Sequence, residues 1–233
     1  MFSAVIFDMD GLLLDSERCL MQAWLAASRD AGVPLAAQDF MYTVGRNAAE
    51  SREKLIDLLG GEARYVAVHE RVCARLGPEN ERIFPLKPGA LELLAALAAK
   101  RVPCALASST YSAEIRRRLA AVDVLHFFQA IVGSDEVARG KPDPAVYELA
   151  ARRLHVTPAA CLVFEDSENG ALAALRAGMQ LIIVPDLRVP SVEGGLHILP
   201  SLAAARPYLP EWFPSSLTTT SFQQTPAPAS GRG

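Results

Sequence analysis

Four short stretches of this chain place acids, hydroxyls and a lysine where apolar runs end or shortly after. Asp8 and Asp10 follow AVIF, Ser108 and Ser109 follow PCALA, Lys141 stands in GKPDP, and Glu165 with Asp166 follows CLVF. Carboxylates gathered in one place repel, and a divalent cation offsets the repulsion. Oxygen ligands from Asp8 and Asp166 suit Mg2+, which keeps waters and takes phosphate oxygens as further ligands. A phosphoryl group held there would meet the compact charge of Lys141 and a hydrogen bond from the Ser108 hydroxyl. A carboxylate can itself attack phosphorus, splitting one difficult displacement into two through an aspartyl-phosphate. Asp8 is the expected nucleophile. Asp10, two residues on, is expected to protonate the leaving alcohol and then deprotonate the attacking water.

These stretches converge only if the elements that end in them lie side by side. Short apolar, β-branched runs alternate with helical patterns, which predicts an α/β fold, a Rossmann-like parallel sheet flanked by helices. The expected strands are 4–7, 103–107, 130–132, 162–164 and 181–184. Ser112 is expected to cap the helix through AEIRRRLA, Asp143 and Pro144 to start the next, and Gly178 to close ALAALRA. In open parallel sheets ligands bind beyond the carboxyl ends of the strands, where each polar cluster falls. Residues 16 to 85 show helical periodicity alone, with Asn47 and Glu50 spaced as a capping box. The expected organisation is a discontinuous α/β core, residues 1–15 and 86–214, interrupted by a small helical cap domain, 16–85. FPLKPG, residues 84–89, would be the return hinge, since Pro85 and Pro88 disfavour helix. Residues 215–233, rich in Ser, Thr, Pro and Gly, read as a disordered tail.

Composition sets outer limits. A 233-residue chain that is 51% hydrophobic and 21% charged can bury a sizeable core. A net charge of -3 gives no general reason to bind nucleic acid or an anionic membrane. Cys19, Cys73, Cys104 and Cys161 are widely spaced and form no CxxC pair, so buried free thiols in a reducing compartment are expected. Asp8 and Asp10 interrupt the apolar start, which argues against a signal peptide, and no uncharged run approaches a membrane span. The expected location is the cytoplasm.

FDMDG, LASS, GKPDP and FEDSENG, in this order, resemble the four motifs of the haloacid-dehalogenase-like (HAD) hydrolase superfamily, over roughly residues 1 to 210. The resemblance implies that Asp8 is nucleophile and Mg2+ ligand, and that Asp10 is the acid/base and also offers its backbone carbonyl to the metal. It implies a phosphate-binding hydroxyl at Ser108, an anchoring lysine at Lys141 and a metal carboxylate at Asp166. Glu165 would be a further ligand or a support for the others. The helical insertion is similar to the small cap of the subgroup with β-phosphoglucomutase and sugar-phosphate phosphatases, and 161–179 also resembles pseudouridine 5′-phosphatases. In that subgroup the cap closes over the site, excludes water and selects the substrate. Asp10 separates the chain from the superfamily's dehalogenases. Lys141, where phosphonatases carry arginine, separates it from C–P cleavage.

Taken singly, each cluster has a plain explanation: a turn at Asp8 and Asp10, a helix entry at Ser108 and Ser109, a solvated loop lysine at Lys141, a helix N-terminus at Glu165 and Asp166. None of these explains why all four stand near strand ends. The four histidines lack ligand spacing, Arg116 to Arg118 read as a solvated helical face, and Trp24 as cap core. Arg46, in a GR pair between cap elements, stands as either a substrate contact or a surface ion pair. The expected partner is a small phosphorylated metabolite, a sugar phosphate or nucleoside-type monophosphate, with monomer or dimer left open. A β-phosphoglucomutase-like phosphotransferase is the alternative, and a non-catalytic phosphometabolite-binding protein a further one.

Overall fold

A computed structural model of the chain describes residues 1–44, 48–195 and 197–214. Arg46, the Asn47 end of the capping box and the 215–233 tail lie outside the described residues.

The strands are β1 Ala4–Phe7, β2 Cys104–Ala107, β3 Ala130–Val132, β4 Cys161–Glu165, β5 Gln180–Ile183 and β6 His197–Ile198. They form one parallel sheet in the order β3-β2-β1-β4-β5-β6. Five of them match the expected runs to within a residue or so at each end. β6 was not expected: its two residues are both exposed and carry no apolar pattern. Phe7 registers with Leu106 on one side and Phe164 on the other, so the chain leaves β1, β2 and β4 at one level.

Buried strands alternate their side chains between two apolar layers. Val5 and Phe7 pack with Leu93, Leu94 and Leu97 of α5 (Ala90–Ala99) and with Ile115 and Leu119 of α6 (Ser112–Ala121). Ala4 and Ile6 face α7 (Ala145–Arg153) and α8 (Glu168–Arg176), whose buried faces are mostly alanine. The sheet order reverses between β1 and β4, so the loops after them diverge and open a crevice.

Helix starts differ from expectation in instructive ways. Ser112 is the first residue of α6, not its cap. Asp135, after β3, accepts both its backbone N–H at 2.7 Å and its hydroxyl at 2.8 Å. Pro144 is the N-cap residue of α7, and Asp143 Oδ1 accepts the Ala145 N–H at 3.1 Å. Gly178 does follow the end of α8, at φ +75°.

Between β1 and α5 the chain is helical: α1 Ser16–Asp30, α2 Ala37–Phe40, α3 Ala48–Leu59 and α4 Glu62–Leu76. This segment carries its own apolar cluster, in which Trp24, Phe40, Leu55, Leu59, Tyr65, Val68 and Val72 are buried. Its outgoing and returning strands of chain pair antiparallel: Leu14 bridges Leu86, Asp15 N–H donates to Pro85 O at 2.9 Å and Lys87 N–H to Leu13 O at 2.8 Å. The four cysteines are free; Cys104 and Cys161 are buried, whereas Cys19 and Cys73 are half-buried rather than fully buried as expected. Among the described residues no helix is long and apolar enough to cross a membrane.

Candidate active site

Phe7 ends β1, so Asp8 is the first residue past the sheet, where its N–H still donates to Phe164 O of β4 at 3.1 Å. Glu165 ends β4, and Asp166 follows it. Ser108 follows β2, held by its N–H to Val132 O at 3.1 Å. Lys141 arrives on the loop between β3 and α7, with its side chain 4% exposed. Its ammonium donates to Asp8 Oδ1 and to Glu165 Oε1, each at 2.6 Å, and lies 4.8 Å from the centre of the Tyr147 ring. Asp8, Lys141, Glu165 and Asp166, far apart in sequence, thus meet at the carboxyl end of the sheet.

Glu165 is the tie-point. Oε1 accepts from Lys141 and from the Tyr147 hydroxyl at 2.7 Å. Oε2 accepts from the N–H groups of Asp166 and Ser167, each at 3.0 Å, and from the Ser167 hydroxyl at 2.9 Å. Gly170 makes room for it: a Cβ there would overlap the Glu165 carboxylate. On the other side Gly11, at φ +82°, lies against Asp166, and a Cβ would overlap that carboxylate too.

Burial and proximity load these groups. Burial, opposed by Lys141 and reinforced by Glu165, pushes the Asp8 carboxyl up to about 8. Burial and the neighbouring Glu165 and Asp8 drive Asp166 well above the carboxylate range. Burial works against the charge of Glu165, yet the ammonium and bonds it receives hold its carboxyl below the ordinary value. Lys141 is likewise buried, yet Asp8 and Glu165 raise it. One oxygen each of Asp8, Glu165 and Asp166 lie within 4.8 Å of one another, and Asp166 Oδ1 is buried without a hydrogen-bond partner. An unpartnered buried carboxylate oxygen beside a second acid is a fit for a hard cation such as Mg2+.

Ser108, the serine expected to meet the phosphate, is 2% exposed, whereas Ser109 is exposed. The Ser108 Oγ accepts the Thr110 N–H at 3.1 Å. Asp10 lies at the rim, its Oδ2 accepting from the Thr110 hydroxyl at 2.9 Å and its Oδ1 from Arg118 Nη1 at 3.0 Å. The expectation of a solvated Arg116 to Arg118 face therefore fails for two of the three. Arg116 is exposed, but Arg117 donates through Nη2 to Arg82 O at 2.7 Å, and Arg118 reaches Asp10. Helical periodicity puts Arg118 on a side of α6; it does not say what lies opposite. Tyr147, Ser167 and Thr110 were given no role in the sequence, where the local signal was that Ser167 lies inside FEDSENG and Thr110 directly after LASS.

Comparison with known proteins matches this geometry. A profile of haloacid dehalogenase-like hydrolases matches residues 2–178. The chain is similar to a phosphorylated carbohydrates phosphatase of Thermotoga maritima, 36% identical over 183 residues, which cover 77% of this chain and 83% of that protein. It is also similar to β-phosphoglucomutase of Bacillus subtilis, 33% identical over 189 residues, 76% of this chain and 80% of the relative. A solved structure of a HAD family hydrolase from Deinococcus radiodurans, with bound phosphate and sodium, superposes with a TM-score of 0.75 at 28% identity, covering 91% of this chain and 96% of that one. With its buried lysine and acids at the end of a parallel sheet, the chain belongs to the haloacid dehalogenase-like hydrolase family.

Proposed function

We propose that this hydrolase is a Mg2+-dependent phosphatase of a small phosphorylated metabolite, a sugar phosphate or nucleoside-type monophosphate, working through an aspartyl-phosphate on Asp8. The observation that carries the reading is the Lys141 ammonium shared by Asp8 and Glu165 beside the unpartnered Asp166 Oδ1. The carbohydrate-phosphate activity in the name of the Thermotoga relative supports the sugar class.

The Asp8 and Asp166 carboxylates and the Asp10 backbone carbonyl would hold the metal. When bound, Mg2+ offsets the repulsion of the acids and the charge of a phosphoryl group. Glu165 is the weakest candidate ligand, because donors already engage both its oxygens; its role is to anchor Lys141 and the turn into α8. A phosphoryl oxygen takes a hydrogen bond from the Ser108 hydroxyl and the charge of Lys141. An Asp8 oxygen attacks phosphorus as the ester bond breaks, and the leaving alcohol takes a proton from Asp10. Asp10, now ionised, takes a proton from water, which attacks the aspartyl-phosphate, frees phosphate and regenerates Asp8. The helical segment 16–85 is the cap in this reading, and Arg46 a substrate contact. The four free cysteines support a reducing, cytoplasmic setting.

Purified wild type and Asp8→Asn, incubated with a panel of phosphorylated metabolites with and without Mg2+, test the reading by phosphate release and isomerisation read together. Magnesium-dependent release, lost in the variant, is expected. Isomerisation with little free phosphate would replace the phosphatase by a mutase, and binding without turnover would replace it by a non-catalytic receptor.

A further inference from the structure

We infer that Arg118 is a positioning residue for Asp10, holding in place the carboxylate that moves the proton; the inference rests on the acid/base role proposed for Asp10. Asp10 lies three residues past the end of β1, its side chain 25% exposed, and its oxygens take other partners than the Lys141 and Glu165 that bond together beside Asp8. What fixes it is a pair of donors on two other segments. The Thr110 hydroxyl, from the turn after β2, takes Oδ2 at 2.9 Å, and Arg118 Nη1, from the second half of α6, takes Oδ1 at 3.0 Å. One donor to each oxygen sets the plane of the carboxylate as well as its place.

The guanidinium is itself held on several sides. Arg118 Nε donates to Glu114 Oε1, one turn earlier on α6, at 2.8 Å, and its central carbon lies 5.2 Å from the centre of the Phe84 ring. Its side chain is 14% exposed and Phe84 is 2% exposed. Glu114 is fixed in turn by Arg117 Nε at 3.0 Å and Nη2 at 2.7 Å, and Arg117 Nη2 also reaches Arg82 O. A floppy surface pair would contribute little. Here a planar fork, 5.2 Å from the centre of a buried ring, joins two carboxylates, an arrangement that a lysine's single ammonium reproduces only in part. Phe84 begins the segment that returns from the helical insertion, so Asp10 is braced, through Arg118, against the start of that return.

Proton donation to a leaving oxygen requires the acid within hydrogen-bond reach at the correct angle. The demand is heavy for an alkyl phosphate, whose alkoxide leaves poorly, and slight for p-nitrophenyl phosphate. The test compares kcat/KM for these two substrate types in wild type, Arg118→Ala, Arg118→Lys and Asp10→Asn, with thermal unfolding and inhibition by inorganic phosphate as controls. Asp10→Asn should lower kcat/KM for the alkyl phosphate by about 10²- to 10⁴-fold. Arg118→Ala should lower it roughly tenfold or more while keeping p-nitrophenyl phosphate within about twofold, and Arg118→Lys should recover part of the loss. Phosphate inhibition should stay at its wild-type value.

An equal fall on both substrates, or no fall, in the arginine variants while Asp10→Asn discriminates would overturn the inference and leave the acid/base reading standing. Failure of Asp10→Asn to discriminate would remove that reading, and the inference with it. If Arg118→Ala unfolds, Arg118→Lys decides on the same ratio.

Discussion

The crevice at the sheet's carboxyl end and the helical insertion between β1 and α5 are stabilised by opposite means. In the crevice Asp8, Glu165 and Asp166 are buried together, compensated by Lys141 and by the bonds made to Glu165. In the insertion the buried set is apolar, with Trp24 5.5 Å from the Tyr65 ring and Val68 and Val72 sealed beneath. A buried charge that loses its partner keeps its desolvation cost, while an apolar cluster that loses a side chain loses only its packing. Acids and the cation that compensates them are therefore one unit in the crevice. The insertion's own apolar cluster includes none of these charged groups.

The comparison breaks most sharply at Asp8. Asp8→Asn retains the shape of the side chain and one accepting oxygen but neither its charge nor its nucleophilicity, so turnover should fall by at least about 10³-fold, with the folded state preserved in circular dichroism. Lys141→Ala should affect fold and function together. It leaves Asp8 and Glu165 buried without their common cation, and urea unfolding should show a loss of about 3–5 kcal/mol beside the loss of activity. Trp24→Ala should also cost about 3–5 kcal/mol, from a site 5% exposed. Its effect on p-nitrophenyl phosphate hydrolysis, measured well below the unfolding transition, should be far smaller than that of Lys141→Ala. Equal losses in the two would erase the distinction between the regions. The smallest effect is expected at Arg46→Ala: a rise in KM of about tenfold for the physiological substrate with kcat little changed, the mark of a contact made equally in ground and transition states. A fall in kcat alone would remove Arg46 from substrate binding.

The sheet was legible because strands buried on both faces must be apolar throughout, and AVIF and CLVF are. The positions of Asp8 and Ser108 followed from the same fact, since each is the first polar residue past its strand; Asp166 comes one residue later, because β4 runs on through Glu165. What the sequence withheld was long-range partnership. Asp135 tethers the start of α6, Tyr147 completes the bonding of Glu165, and Arg118 holds Asp10, each across many residues. Periodicity describes an element's own faces and is silent on its neighbours. β6 escaped for another reason: its exposed pair His197 and Ile198 is held to Ile182 and Ile183 of β5 by parallel pairing rather than by a buried apolar run. Gly11 and Gly170 lay inside the quoted motifs, but only the folded chain shows that each clears space for a carboxylate.

Whether Asp8 carries the phosphoryl group is read by acid-quenching the wild-type enzyme during turnover and weighing its peptides. The mass of one phosphoryl group is expected on the peptide containing Asp8, at that residue, and none in Asp8→Asn. A phosphoryl group on another residue, or steady phosphate release by Asp8→Asn, would contradict it.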